Sequence, residues 1–354
     1  ITLQDLTSRL TRLKKAGVRD VILFGGEPSI HPEIIAIVRT AKKLGMKPTL
    51  ITNGYLLGKD RQFVRKLKKA GLRQVNIQFD TFNRDVHQQL RGNDYVDVKL
   101  KAIENVINEK IDCEPIMTVT ALNLQEVPKI LDFALSLGPY VKEVLFQGVV
   151  DEGRYLLDSH KIIDREEILH ALVNSHHYKH VFQKSDFWPV PGVYSWGLYM
   201  HPDCVIMGGV LQHRNKSVQS LTHYAHFEKL YKAIQKNQTK KNFFTKYVHF
   251  GFHILKSLKL SIIPFFIALL KDKFFHKDIT ISETGVVTSP QTPRTLTIIA
   301  IEAYNSAKFQ DIEKTTLCLT KQVLHDTEVC ACVYNSRNKE HPNSRVSVKA
   351  RNEI

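Results

Sequence analysis

No stretch of the 354-residue sequence is apolar for long enough to cross a bilayer. The longest uninterrupted run, residues 262–270, is nine residues and contains Pro264, whereas a spanning helix needs about 20. No signal-peptide pattern follows Ile1. Cysteine is scarce and odd in number, at five, which excludes a secreted disulfide scaffold and points to a reducing cytoplasm. Glycine (17) and proline (13) are too few for any low-complexity class. Carboxylates are outnumbered, 35 against 50 Lys and Arg, leaving a net charge of +15. Much of that excess lies in lysine pairs on predicted helix faces, an ordinary solvated surface. An anionic partner, such as a phospholipid surface or a phosphorylated substrate, is the sharper reading. No aromatic-basic motif accompanies the charge, so nucleic acid is not expected. What is present is 43% apolar residues, enough for one large core or two ordinary ones.

A repeat organises the first 150 residues. "KKAGVRDVILF" at 14–24, "KKLGMKPTLIT" at 42–52 and "KKAGLRQVNIQF" at 68–79 carry lysine pairs spaced by 28 and then 26 residues. Each unit reads as an amphipathic helix ending in Lys-Lys, where cations suit the negative end of the dipole. A glycine follows (Gly17, Gly45, Gly71), suited to a left-handed cap, and then a short apolar strand. Two weaker units follow, at "EPIMTVTALN" from 114 and "ALSLGPYVKEVLFQ" from 134. Leu3, Leu6, Leu10 and Leu13 share one helix face, with Thr2 and Asp5 as a capping box. Helices alternating with apolar strands predict a parallel sheet with right-handed crossovers, in a barrel or part of one. A doubly wound open sheet is the alternative. Five strands are expected, near 18–24, 47–52, 74–80, 114–120 and 142–147. The chain opens on a helix that should follow a strand, so a further strand is expected before residue 1.

Each expected strand leaves the core onto polar groups: Gly25-Gly26-Glu27-Pro28, Thr52-Asn53-Gly54, Gln78 with Asp80, Thr120 with Asn123, and Gln147. Sites in this architecture lie at the carboxyl ends of the strands, so five such ends in register predict a ligand site. The bland alternatives are a turn at Asn53-Gly54 and helix caps at Asp80 and Asn123. Gly25 and Gly26 would let a ligand lie against bare backbone, and the Glu27 carboxylate would suit a cationic group such as an amine.

These segments resemble the radical SAM superfamily. "LFGGEPSIHP" is similar to its second-strand motif, "LITNGYLL" at 50–57 to its third, and "IQFDTFNRDVHQQLRG" at 77–92 to the fourth strand and following helix of one subgroup. That subgroup includes tetraether lipid synthases and pterin-methylating radical SAM enzymes. "VLFQGVVDEGR" at 144–154 resembles its sixth-strand signature, with Gly148 where proline is usual. The resemblance implies an α/β fold: a partial (β/α)6 TIM-like barrel lacking its first strand, with an α-rich C-terminal region. It implies S-adenosylmethionine and a 4Fe–4S cluster, which generate a 5′-deoxyadenosyl radical. It assigns Gly25, Gly26, Glu27 and Pro28 to the methionine amino group, places Asn53 in the third-strand motif, puts Gln78 and Asp80 near the ribose, and puts Gln147 near the adenine. It also implies an electron donor such as ferredoxin or flavodoxin. The family's C-x3-C-x2-C motif is nowhere in the sequence. The expectation is therefore an N-terminally truncated piece, inactive alone, with a degenerate homologue as the alternative. Cys113 opens a predicted strand and reads as a buried thiol.

Past 155 the repeat stops. Segments 1–155, 156–240, 241–338 and a polar tail, 339–354, are expected to be separate regions. His176 and His180 are spaced to share a helix face, with surface histidines favoured over a metal pair. "SDFWPVP" with "HPDC", and "CACVYN" near the end, resemble the same subgroup, where such cysteines join auxiliary iron–sulfur sites. This marks Cys204, Cys318, Cys330 and Cys332 as candidate metal ligands, although Gly192 and Ser195 stand where another cysteine is expected. Residues 253–275 read as a buried core helix or, alternatively, an interfacial helix or the wall of a lipid-binding tunnel. The reading is a cytoplasmic radical SAM enzyme on an apolar, lipid-like or pterin-like small molecule, with peripheral membrane association as a further expectation. A cluster-less barrel that binds a ligand or partner is the second hypothesis, and a non-radical lyase or aldolase the third.

Overall fold

The structure, a computed structural model, describes residues 2–15, 17–149, 163–189, 205–226, 229, 256, 259–274, 277–289, 294–302, 321–324 and 327–330. The chain alternates α1 (Leu3–Lys15), β1 (Asp20–Leu23), α2 (Ile34–Lys43), β2 (Lys47–Thr52), α3 (Tyr55–Lys59), α4 (Arg61–Ala70), β3 (Gln74–Gln78), α5 (Arg84–Arg91), α6 (Val96–Asn108), β4 (Asp112–Val119), α7 (Val127–Ser136) and β5 (Glu143–Gly148). All five expected strands form, and β1 to β5 pair in chain order, each parallel to the next. The capping box opens α1: Asp5 N–H donates to Thr2 Oγ1 at 3.2 Å and Thr2 N–H returns to Asp5 Oδ2 at 3.2 Å. Gly71 shows why glycine ends these helices. Its φ is +100°, which other residues avoid, and its N–H closes back on Leu67 and Lys68 carbonyls.

Side chains alternate across the parallel sheet. Val75, Ile77 and Phe79 face the helices, buried with Val64, Leu67, Leu100 and Ile103 in the main core. Each such side chain contributes about 1.5–3 kcal/mol of burial. The opposite face carries Gln74, Asn76 and Glu114, joined to one another: Gln74 Nε2 donates to Asn76 Oδ1 at 2.8 Å and to Glu114 Oε2 at 2.7 Å.

The C-terminal half departs from expectation. It continues through α8 (Arg165–Val173), β6 (Trp188–Pro189), β7 (Val205–Gln212), β8 (Val218–Ser220), α9 (Ile263–Phe274), β9 (Thr280–Ile281), β10 (Val287–Thr288), β11 (Thr295–Glu302), β12 (Lys321–Leu324) and β13 (Thr327–Cys330). Among the described residues it is therefore strand-rich rather than α-rich. The main sheet runs β1-β2-β3-β4-β5-β11-β7-β6, with β8 beside β7. β11 lies parallel to β5 and antiparallel to β7, so a strand from residues 295–302 extends the sheet begun by the first 150. His176 and His180 follow the end of α8 and lie in turns, not on one helix face; His177 Nδ1 instead meets Asp132 Oδ2 at 2.7 Å. No helix among the described residues is long and apolar enough to cross a membrane.

Candidate ligand site at the strand ends

The loop after β1 turns sharply because both its glycines have positive φ, +107° at Gly25 and +56° at Gly26. A Cβ built at either would meet nothing within 4 Å, so the bare backbone faces open space. Glu27 caps the single 3-10 turn Pro28–Ile30. Pro28 takes the first position, where a missing N–H costs nothing, and the first orphan donor, Ser29 N–H, reaches Glu27 Oε1 at 3.0 Å.

The same carboxylate reaches the end of the neighbouring strand. Thr52 Oγ1 donates to Oε1 at 2.6 Å and Asn53 N–H to Oε2 at 2.7 Å. Glu27 thus joins the ends of β1 and β2 through three protein donors. A carboxylate has about four lone-pair sites, which leaves acceptor capacity on Oε2. Asn53 holds its own turn, with Oδ1 accepting Tyr55 N–H at 2.8 Å. Gly54 is closely packed: a Cβ there would lie 3.2 Å from Ile77 and 3.3 Å from Ala102 of α6.

At the end of β3 stands a second charged group. Asp80 is fully buried. Its Oδ1 accepts Thr118 N–H at 2.9 Å and its Oδ2 accepts Arg91 Nε–H at 2.8 Å. Burial would raise its pKa, but Arg91, Lys99 and these hydrogen bonds outweigh it and hold the carboxyl below the usual range. Asp80 therefore anchors Arg91, whose guanidinium also donates to Thr118 Oγ1 at 3.2 Å and whose side chain is 20% exposed. Gln78, with its amide oxygen turned toward Arg91, accepts from Nη1 at 3.0 Å and from Nη2. Asn123 stands at the head of the 3-10 turn Leu124–Glu126 but gives it no side-chain cap. It is buried beneath the site, and its Nδ2 ties the carbonyls of Asp80 and Thr118 at 2.9 and 3.0 Å. Gln147 lies on β5 beside Thr118 of β4 and Glu302 of β11.

Two features escaped the sequence reading. Lys99 is 3% exposed and donates from Nζ to the Gln78 carbonyl at 2.9 Å. Burial pushes its pKa down to about 8 against the pull of Asp80 and Glu27. Its signal was a lysine inside the apolar stripe of α6, between Val96 and Ile103. The second is a trio of acids on the sheet face opposite the helices. Burial, then Glu143 and Glu302, hold the Glu114 carboxyl well above the ordinary carboxylate range.

The strand-end groups fit the amino-acid portion of S-adenosylmethionine: open glycine backbone, a carboxylate for an ammonium, and a partly exposed guanidinium for a carboxylate. The described residues do not fit a 4Fe–4S cluster. Cys113 is buried on β4, its thiol pushed far up by burial. No group of three or more His, Cys, Asp or Glu among the described residues is placed to hold a metal ion. Cys204, Cys318 and Cys332 lie outside the described residues, and of Cys330 only the backbone, ending β13, is described. An open cleft of about 480 Å³ among His213, Arg214, Asn215, Tyr224 and Arg294 lies elsewhere. It adjoins Gln212, which pairs with the first residue of β11, at the opposite end of the parallel strands.

Comparison with known proteins bears on the same segments. Residues 1–134 match the Radical SAM superfamily. The chain is 30% identical over 174 residues to GTP 3',8-cyclase of Aliarcobacter butzleri (strain RM4018), covering 48% of this chain and 51% of that one. It is 29% identical to the AdoMet-dependent heme synthase of Methanosarcina barkeri (strain Fusaro / DSM 804), covering 48% of each. It is 28% identical to 7,8-dihydro-6-hydroxymethylpterin dimethyltransferase of Methanocaldococcus jannaschii, covering 48% and 34%. The chain thus spans about half or less of the length of these relatives. Among solved structures, Streptococcus suis SuiB superposes with a TM-score of 0.40 at 19% identity, over 47% of this chain and 38% of that one.

Proposed function

We propose, from the premise that residues 1–134 are a radical SAM domain, that this chain binds S-adenosylmethionine at the ends of β1 to β3 and belongs to an enzyme acting on a small polar heterocycle. The observation that carries the first part is the Gly25-Gly26-Glu27 turn, open on its glycine side and held to β2 by the Glu27 carboxylate. Glu27 Oε2 is the acceptor for the ammonium, and Arg91, fixed by Asp80, is the cation for the carboxylate. Gln78 and Asp80 act on the ligand through Arg91 and Lys99 rather than by touching it. When bound with its cluster, the cofactor supplies radical hydrogen abstraction. The described residues do not hold that cluster.

The second part rests on the relatives that match the same segments, a GTP 3',8-cyclase and a 7,8-dihydro-6-hydroxymethylpterin dimethyltransferase, both named for nitrogen heterocycles. The buried Gln74, Asn76 and Glu114 network lies toward the amino ends of β3 and β4, away from the strand-end site, and selects no substrate.

Calorimetric titration with S-adenosylmethionine and with 5′-methylthioadenosine, which lacks the amino-acid group, tests the site. The expected result is binding of the former and at least about tenfold weaker binding of the latter, the equivalent of one lost charged hydrogen bond. Equal affinity for the two refutes the strand-end reading.

A further inference from the structure

The segment at 260–274 is neither a buried core helix nor a wall of the strand-end site. One side of α9 and the turn before it pack inward: Ile262 and Phe265 are buried on Leu211 and Leu221, joined by Leu269 and Leu296. Asp272, on the same side, is 7% exposed and holds Arg214 Nη2 at 2.6 Å and Arg294 Nη1 at 3.0 Å. The other side is apolar and open. Ile263 is 49% exposed, Ile267 52%, Leu270 61% and Phe274 84%. These positions recur at i, i+4, i+7 and i+11, so they form one stripe along the helix. Leu260, 82% exposed, extends it at the N-terminal end. A contiguous apolar stripe of this kind marks an interaction surface.

Its surroundings say what kind. Lys259, Lys271 and Lys277 are exposed along the same segment, and Lys216 is exposed on the turn after β7. The helix's one acid, Asp272, is buried and already paired with two arginines. The cleft lined by Arg214 and Arg294 adjoins the helix, with the His213 ring 5.2 Å from that of Phe265. An apolar stripe set among lysines and beside an arginine-lined cleft complements one surface, hydrocarbon beneath anionic headgroups.

We infer that α9 docks this protein on an anionic lipid bilayer, Ile263, Ile267, Leu270 and Phe274 entering the acyl boundary while Lys259, Lys271 and Lys277 meet lipid phosphates. The C-terminal turn of α9 lies at the opposite end of the sheet from the candidate site, since Lys273 bonds Asp112, the first residue of β4. The docked enzyme therefore keeps its strand-end site turned from the membrane, and the inference stands whether or not that site binds S-adenosylmethionine.

The test is flotation of the full chain with vesicles of phosphatidylcholine alone and of phosphatidylcholine mixed equally with phosphatidylglycerol. The chain should float with the anionic vesicles. Binding should fall several-fold between about 0.01 M and about 1 M salt, as the Debye length drops from about 30 Å to about 3 Å. The Ile267→Ser/Leu270→Ser/Phe274→Ser variant changes only exposed side chains, so its urea midpoint should match wild type. Its partition coefficient should fall at least about tenfold. Lys271→Glu with Lys277→Glu should abolish the preference for anionic vesicles. Equal flotation of wild type and the triple-serine variant overturns the proposal. So does a wild type that stays off vesicles and runs as a dimer that the triple-serine variant dissolves, since the stripe would then be a self-contact.

Discussion

Replacing Glu27 by glutamine probes the clamp and the ligand site in one change of a single atom. The carboxylate accepts Ser29 N–H at 3.0 Å and Thr52 Oγ1–H at 2.6 Å on one oxygen, and Asn53 N–H at 2.7 Å on the other. A glutamine keeping its oxygen toward the first pair turns an NH2 onto Asn53 N–H, donor against donor; the reverse orientation opposes two donors instead. The first is the lesser loss. Because Asn53 is exposed, water replaces part of what is lost, and the cost sits toward the low end of about 1–3 kcal/mol. Urea denaturation followed by circular dichroism should show it as a lower midpoint with unchanged slope. Thr52→Val removes the donor to Oε1 and the acceptor of Gly54 N–H at 3.1 Å but leaves the carboxylate, at about 1–3 kcal/mol. If Oε2 receives the ligand's ammonium, Glu27→Gln should weaken S-adenosylmethionine at least about tenfold, while Thr52→Val stays within a few-fold. A glutamine variant with wild-type midpoint refutes the clamp. Equal loss of affinity in both variants means the strand ends need only be held in place, and refutes direct contact by Glu27.

Three further outcomes concern buried ionisable groups. With Lys99 at about 8 in the folded chain and 10.5 as its ordinary value, the unfolded chain binds a proton the folded one lacks between those pH values. Stability should therefore rise with pH across that window, by at most about 3.5 kcal/mol at about 1.4 kcal/mol per pH unit, and Lys99→Met should remove the rise. Glu114 is raised, so its contribution is full below its ordinary 4.5 and is lost as pH rises toward the folded value. Glu114→Gln should accordingly be more stable than wild type near pH 7 and no more stable at pH 4, as read by urea midpoints. His87 is buried, its Nδ1 bonded to the Asn93 carbonyl at 2.7 Å, and burial lowers its pKa. Stability should fall as pH drops below its ordinary 6.5, and His87→Gln should lessen that fall in thermal melts.

The alternation of amphipathic helix, glycine and apolar strand determined the parallel half-barrel, because each unit is decided by residues within about a dozen positions. The Lys-Lys-Gly endings, the period of Leu3, Leu6, Leu10 and Leu13, and the apolar runs into Gly25 and Asn53 are all local. So was the location of the candidate site, since parallel strands point their carboxyl ends the same way. Tertiary structure decided what those ends do. Glu27 meets Thr52 across 25 residues and Asp80 meets Thr118 across 38, so the carboxylates at the strand ends also hold strands and an arginine in place. Lys99 became a site cation only when α6 packed it under Gln78. Glu114, Glu143 and Glu302 come from three distant segments and share one sheet face because β4, β5 and β11 lie side by side, Glu302 level with Gln147 and Glu143 level with Ile298. No periodicity announces that pairing, since a strand's partner is chosen by which edge is open when the chain returns. For the same reason the apolar letters of 260–274 could not say which side faces inward. That was settled by Leu211, Leu221 and the two arginines that hold Asp272.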